Sequence, residues 1–361
     1  MMNKIVFLKI GLLLSYISVI FYYTTTSLIS QILYFLSISF IILCSLSERV
    51  YTKDSIFISF SLLVFILFSF FSRSYPYYYS VAILLYGLCS LVMAYGFLKL
   101  DKKANLSVCF YLIYVAFLWL NFFKFGFVDP DKYNEIFANS SRNVVSAFLL
   151  LVTILVGACY HIDERKQPLI IYTITLVSSL ILYGRSGIAI SLILFCYAFY
   201  DNYGKRAYWL IFLIPILSIL FYKFYSGIEY YIMEESSFRY GLESPRQNMR
   251  DEYFGGIFYS AQDLLFGRQY SSCCITVMSY ESNPHNSFIV GHARYGIFHT
   301  IFFFSLLLST FFYIREKKVL IFFACLIFVR YSFDQLGLFS PLDFILFLIL
   351  LLIFKFKREL N

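Results

Sequence analysis

The sequence predicts an all-α polytopic membrane protein, with about twelve transmembrane helices and one large extramembrane loop, and three observations predict it. Apolar residues make up 60% of the chain and charged ones only 14%, with a mean hydropathy of +0.75, a balance far too apolar for a soluble fold. Apolar runs of membrane-spanning length recur throughout. The polar residues collect at breaks between those runs, above all in residues 226–286.

The elements follow in order. The N-terminal MMNKIVFLKI leads into an apolar run ending FYYTTTS with no small-residue cleavage pattern, so residues 5–23 read as an uncleaved first span. Spans at 27–46, 55–72, 77–98, 106–125, 144–160 and 168–184 come next, and only Gly184-Arg185-Ser186 separates the last of these from the span at 186–200. The ninth span, 208–225, enters the large loop, and spans at 287–313, 319–333 and 341–354 complete the set. The expected organisation is therefore one membrane domain: residues 1–225 with nine spans, loop 226–286 containing short helices, and residues 287–361 with three more. Residues 126–143 form a second, smaller polar segment. A loop as long as 226–286 in so compact a chain calls for structure or function of its own. The 33 Tyr and 44 Phe serve helix packing and the interface belts and carry no chemical signal.

Charge sets the orientation. With the N-terminus inside, 17 of the 29 basic residues fall in cytoplasmic segments, and 12 of those 17 are lysines. Both termini are then cytoplasmic. Of the other 12 basic residues, nine are arginines: 73, 142, 185, 239, 246, 250, 268, 294 and 330. Lysines satisfy topology on the inside, whereas arginines that persist on the outside need another reason. Guanidinium groups fork onto carboxylate and phosphate oxygens, so this set points to a phosphorylated or acidic ligand handled on the outer face. Pairing with nearby carboxylates, or solvation, is the alternative, and it suffices for Arg239 and Arg73.

The eight cysteines show no Cys/His ligand spacing, and no metal site is expected. Cys273 and Cys274 are adjacent in the large loop, and neighbours do not easily reach disulfide geometry, so no role is assigned to them. In the same loop Ser244-Pro245-Arg246-Gln247 has the form of a capping box, predicting a helix to about Phe254. Arg246 and Arg250 then stand four apart on one face in its first two turns. Two guanidiniums beside a helix N-terminus make a phosphate site; an amphipathic interfacial helix meeting lipid headgroups is an equal reading.

The span after the loop opens with PHNSFIVGHARYGI. His285, His292 and His299 are spaced by seven, so a helix that includes His285 puts them along one face, about 10 Å per step, too far apart to share a metal. That arrangement suggests a polar stripe facing a cavity, with His292 and His299 as lining. His285, beside Asn286 at the mouth, is the candidate general base. Asn286 is placed to fix its ring or a sugar, and Arg294 to add positive charge deeper in. Charges at other span edges, Arg142 in NSSRNVVSAF, Arg185 in YGRSGIAI, and Arg330 with Asp334 in VRYSFDQLG, are expensive unless paired or functional. Arg330 and Asp334, four apart on one helical face, can simply pair.

These motifs carry a resemblance. PHNSFIVGHARYGIF resembles the His-Asn start of the span that follows the large periplasmic loop in the O-antigen polymerase and O-antigen ligase superfamily. YGRSGIAISLILF looks like its arginine-bearing turn between spans, NSSRNVVSAFLLL like its Arg-Asn span entry, and SPRQNMRDEYFGGI followed by DLLFG like its loop helix and closing glycine. The likeness covers most of residues 139–354, and VRYSFDQLGLFSPLDFILFLILL is closer to the polymerases than to the ligases. The resemblance implies a bacterial inner-membrane glycosyltransferase with a periplasmic site. It needs no cofactor, metal or nucleotide sugar and takes no nucleic acid. Its donor and acceptor are repeat units linked to undecaprenyl diphosphate, and a chain-length regulator is a candidate partner. Under that reading His285, Arg185 and Arg250 are the catalytic candidates, and Arg142, Arg246, Arg268, Asn286, Arg294, Arg330 and Asp334 bind the diphosphate or glycan. A ligase, or a flippase for the same lipid-linked units, is the alternative. A flippase is built from repeated halves and lacks a long outer loop, and no internal repeat is found here.

Overall fold

The computed structural model describes residues 2–45, 52–127, 129–138, 140–208 and 245–355. Among these the protein is helical and no strand occurs. In chain order the helices are α1 (Met2–Thr25), α2 (Leu28–Ser45), α3 (Thr52–Phe70), α4 (Tyr77–Leu98), α5 (Lys103–Phe125), α6 (Arg142–Ile162), α7 (Leu169–Ile181) and α8 (Arg185–Tyr203). Four short loop helices follow, α9 (Pro245–Phe254), α10 (Ala261–Phe266), α11 (Tyr270–Cys273) and α12 (Ile275–Ser279). The last three are α13 (Ser287–Thr310), α14 (Ile314–Tyr331) and α15 (Phe344–Lys355). Helices thus lie at eleven of the twelve stretches read as spans, and the twelfth, 208–225, falls outside the described residues. Five stretches are long and apolar enough to cross a membrane: Lys4–Thr25, Tyr77–Leu98, Lys103–Phe125, Arg142–Ile162 and Ser287–Tyr331. Shorter apolar helices accompany them, so the protein is an α-helical membrane protein.

The chain forms two compact units, Met1–Asp101 with Pro245–Asn361, and Lys102–Ser244. In the second, α6 is buried on every side from Val145 to Cys159, as expected of a helix that is apolar all round. Its neighbours are keyed by hydroxyls. Tyr114 donates to the Val145 carbonyl at 2.8 Å while its ring stacks on Phe148 at 4.3 Å, and Tyr111 donates to the Ile171 carbonyl at 2.9 Å. Such bonds hold strongly where water does not compete.

In the first unit α1 and α2 pair as a hairpin against α4, where Tyr34 stacks on Tyr86. Phe65 of α3 packs edge-on against Phe298 and Phe302 of α13. Three connecting segments converge at one end of this unit. Ser72 donates to the Ala293 carbonyl at 2.9 Å, Ser74 to the Arg268 carbonyl at 2.6 Å, and Ser287 to the Asp334 carbonyl at 2.7 Å. These are the turn at 71–76, the large loop and the turn at 332–340, the segments that the charge pattern puts on one face. The loop has a core of its own: Met249, Tyr253, Ile257, Tyr270, Cys274 and Val277 pack on Ile289 and Ala293 of α13. A fully buried side chain of this size contributes about 1.5–3 kcal/mol, so the loop is a docked layer.

Two expectations need correction here. Cys273 and Cys274, to which the sequence assigns no role, are joined by a disulfide at the junction of α11 and α12. The chain can bend there because Cys274 leaves the helical region, with φ −138° and ψ 75°, between two very short helices. The histidine stripe is also interrupted. Asn286 caps α13, accepting from the Phe288 and Ile289 N–H groups at 2.9 and 3.1 Å, so the helix starts after His285. It then breaks at Gly296, whose φ of 59° and ψ of −158° no side-chain-bearing residue adopts easily, and the Leu265 carbonyl occupies the place a Cβ would need. The three histidines therefore do not share one continuous helical face.

Candidate functional site

The site is built where the large loop meets the start of α13 and the turn after α14. α9 is helical from Pro245, the first described residue after the gap, to Phe254, and the capping-box residue Ser244 lies outside the described residues. Arg246 and Arg250 stand one turn apart, yet their side chains diverge. Arg246 reaches the Asp334 carboxylate at 3.3 Å, whereas Arg250 is exposed and lies 3.9 Å from its neighbour Asp251. Asp334 also takes Arg330 at 2.7 Å, and both partners are sealed, at 0% and 1% exposure. α14 ends at Tyr331, so this pair bridges the helix terminus instead of lying along one helical face as the spacing suggested.

A second carboxylate has the same arrangement. Asp263 accepts from Arg73 at 2.7 Å and faces Arg268 Nε at 3.3 Å. Arg268 further donates through Nη1 to the Glu252 and Tyr253 carbonyls at 2.7 and 2.8 Å, closing the last turn of α9. Its hydrogen bonds thus also hold the loop together, a structural part that the sequence reading did not give it. Arg73, set aside from sequence as solvated or paired, is part of the same assembly. Arg294 differs from all of these. It is 7% exposed, its guanidinium lies 4.5 Å from the Tyr75 ring and 5.2 Å from the Tyr79 ring, and among the described residues no carboxylate is within ion-pair distance. Desolvated cation–π contacts of this kind are worth about 2 kcal/mol, less than a buried cation needs for full compensation.

His285 sits just outside the cap, in the left-handed region at φ 47°, its backbone N–H held by Asn283 Oδ1 at 2.9 Å and its ring edge-on to Tyr280. Burial lowers its pKa from the usual 6.5, Arg246 lowers it further, and Asp334 opposes both. The ring is thus held neutral at pH 7, the form a general base requires. Asn286 is engaged with the backbone instead of the His285 ring. Its Oδ1 caps α13 and its Nδ2 donates to the Ser332 carbonyl at 2.9 Å, so both ends of the amide are committed. Ser287 extends the clamp, accepting from Leu336 and Gly337 N–H at 3.0 and 3.1 Å.

The other histidines are structural. His292 Nε2 lies 2.9 Å from the Leu264 carbonyl, which accepts, so Nδ1 takes the Tyr253 hydroxyl at 2.8 Å. Burial pushes the Tyr253 phenol up, keeping it a donor. This latch ties α9 and α10 to α13 and replaces the expected lining role. His299 is fully buried among Phe65, Phe303 and Phe339, its ring filling the space beside Gly291 where a Cβ would stand. In the second unit Arg142 pairs with Asp131 at 3.1 Å and its N–H is held by Asn134 at 2.8 Å, while Arg185 is the first residue of α8. Each arginine stands at the N-terminus of its helix, where the dipole disfavours a cation and favours an anion beside it.

Sequence reasoning missed Asp263, Tyr75 and Tyr79. SYPYYYS carried a signal, a tyrosine cluster at a span entry, but it read as interface belt. Set against protein-family models, curated proteins and solved structures, the chain matches none.

Proposed function

We propose that this protein is an O-antigen polymerase, a metal-independent glycosyltransferase of the bacterial inner membrane that works at the periplasmic face. One observation carries the reading: at one end of the first unit four arginines, 73, 246, 268 and 330, share two carboxylates, Asp263 and Asp334, and Arg294 adds a fifth buried guanidinium that pairs with neither. A site with that excess of buried and half-buried guanidinium is matched to a multiply charged anion. A lipid diphosphate is such an anion, and the order of the motifs around it resembles the polymerases. In the proposed reaction the terminal hydroxyl of a fresh lipid-linked repeat attacks the anomeric carbon of the growing chain. The bond from that carbon to the diphosphate oxygen breaks, and the electron pair leaves with the lipid diphosphate. The hydroxyl proton passes to the neutral His285 imidazole, and Arg250, exposed beside Arg246, turns onto the departing phosphates.

The surface-glycan ladder of a deletion strain tests this. Loss of all ladders above a single repeat per lipid core is the expected result. Complete loss of ligated glycan, with long chains still attached to lipid carrier, means a ligase, and loss of both means a flippase.

A further inference from the structure

We propose that a cavity in the first unit, separate from the arginine site, holds one acyl chain of an anionic phospholipid. The cavity has a volume of about 330 Å³ and lies between α3, α4, α13 and α15. Leu62, Leu88, Leu91, Leu306 and Leu351 typify its wall, and the hydroxyls of Ser61 and Tyr95 are its only polar side-chain groups. It lies on helices whose outward residues, Leu63 and Leu85 among them, form the exposed apolar surface of the unit, and it is continuous with that surface. An apolar site at this depth is not hydrated, because water there lacks the polar partners it needs.

Shape selects the occupant. The lined stretch of α4 runs from Leu84 to Leu98, about 21 Å at 1.5 Å of rise per residue, somewhat more than one leaflet of a ~30 Å hydrocarbon core. A straight acyl chain of about one leaflet's length matches that stretch, whereas a long isoprenoid far exceeds it.

The two ends differ. At one, Phe339 closes the cavity, its ring against Phe65 and Gly87. It is driven there by two successive left-handed residues, Leu338 and Phe339 at φ 65° and 84°, which Asp343 holds by accepting the Leu338 and Ser340 N–H groups. At the other, beyond Leu98, the Lys99 ammonium lies 5.9 Å from the ring of Tyr95, itself a lining residue. A chain entering there brings its phosphate beside Lys99. The site thus takes its lipid from the leaflet that the charge pattern puts on the cytoplasmic side.

The test uses the full chain in vesicles of phosphatidylethanolamine and phosphatidylglycerol. A trace of phosphatidylglycerol carries a diazirine in one acyl chain, and adducts are mapped by peptide mass spectrometry. Adducts at Leu62, Leu91 and Leu351 are expected several-fold above those at the outward Leu63 and Leu85. Leu91→Trp should abolish the adducts at Leu62 and Leu351 and spare the outward pair. Lys99→Glu, a change outside the cavity wall, should reduce cavity labelling by phosphatidylglycerol but not by a phosphatidylcholine probe. Equal labelling of cavity and outward positions, or cavity adducts that a polyprenyl phosphate displaces and added phosphatidylglycerol does not, overturns the proposal. None of these readouts depends on glycosyl transfer.

Discussion

Replacing Asp334 by Asn should be the most damaging single change in the site, and the structure says why. The carboxylate is fully buried, bridges Arg330 at 2.7 Å and Arg246 at 3.3 Å, and is the only carboxylate paired with Arg330 among the described residues. Removing its charge takes from a guanidinium at 1% exposure the carboxylate it pairs with at 2.7 Å, a loss of about 3–5 kcal/mol. The same reasoning makes a sharper statement about the pair as a whole. Desolvating both ions consumes most of their attraction, and Arg246, at 28% exposure, can turn to water, so exchanging the pair together for apolar residues of similar volume, Arg330→Met with Asp334→Leu, should cost far less than Asp334→Asn alone. The assay is the apparent melting temperature of each variant in lipid nanodiscs, with unmodified protein as reference. Asp334→Asn should melt well below the double variant, and the double variant close to the parent. Refutation takes one of two forms: Asp334→Asn melting with the parent, or the double variant melting below it by the sum of the two single losses.

His285→Ala should leave insertion unchanged and lower polymerisation of purified lipid-linked repeats by about a hundred- to ten-thousand-fold, and a variant with normal turnover excludes the base role. Because the folded pKa of His285 is depressed, its neutral form persists below pH 6.5, so the acid limb of the rate profile should lie under that value. Arg246→Gln should move that limb up and Asp334→Asn move it down, and limbs that stay put would remove His285 from the rate profile. By the same sign, the stability that the neutral ring contributes is complete above pH 6.5 and is lost as the pH falls toward the folded pKa. Arg250→Lys keeps the charge and loses the fork, which should slow transfer by roughly thirty- to a thousand-fold at matched expression; a normal rate there means Arg250 never touches the diphosphate. Gly296→Ala meets both a left-handed φ and the Leu265 carbonyl, so a loss of about 1–3 kcal/mol is expected, and an unchanged melting temperature would show that the kink relaxes freely.

What was legible in the sequence was local. Helix positions followed from runs of apolar residues, and α4 runs from Tyr77 to Leu98, the same bounds that hydropathy predicts. The predicted helix end near Phe254 likewise holds, since α9 runs to Phe254 before Gly255. The Arg330 and Asp334 pair was visible from spacing alone, although the helix ends before the pair closes. Partners distant in sequence were not legible. Nothing in PHNSF says that Asn286 spends its amide on Ser332, and nothing in SAQDLLFG says that Asp263 collects an arginine from residue 73 and another from residue 268. Heptad spacing of the histidines failed for a related reason. Periodicity assumes a continuous helix, and the Gly296 break depends on the Leu265 carbonyl of a loop that docks from elsewhere.

The two arginine-bridged carboxylates also bear on how the proposed diphosphate would be held. Guanidiniums collected around an anion without internal partners repel one another and stay mobile until the ligand arrives. Asp263 and Asp334 each orient a pair of arginines in advance, so the cost of ordering four long side chains is met on folding, and their positive charge is still in excess. Arg294 is the exception, oriented by Tyr75 and Tyr79 with no carboxylate, and left with an unsatisfied Nε among the described residues. Its position is therefore the one where an anion gains most, because no carboxylate competes for the guanidinium. Arg294→Gln fills similar space and keeps a donor while removing the charge, so it should weaken binding of lipid-linked repeats more than it lowers the melting temperature. Equal affinity with a lower melting temperature would reassign Arg294 from ligand binding to packing, and would leave Arg246 and Arg250 to carry the diphosphate.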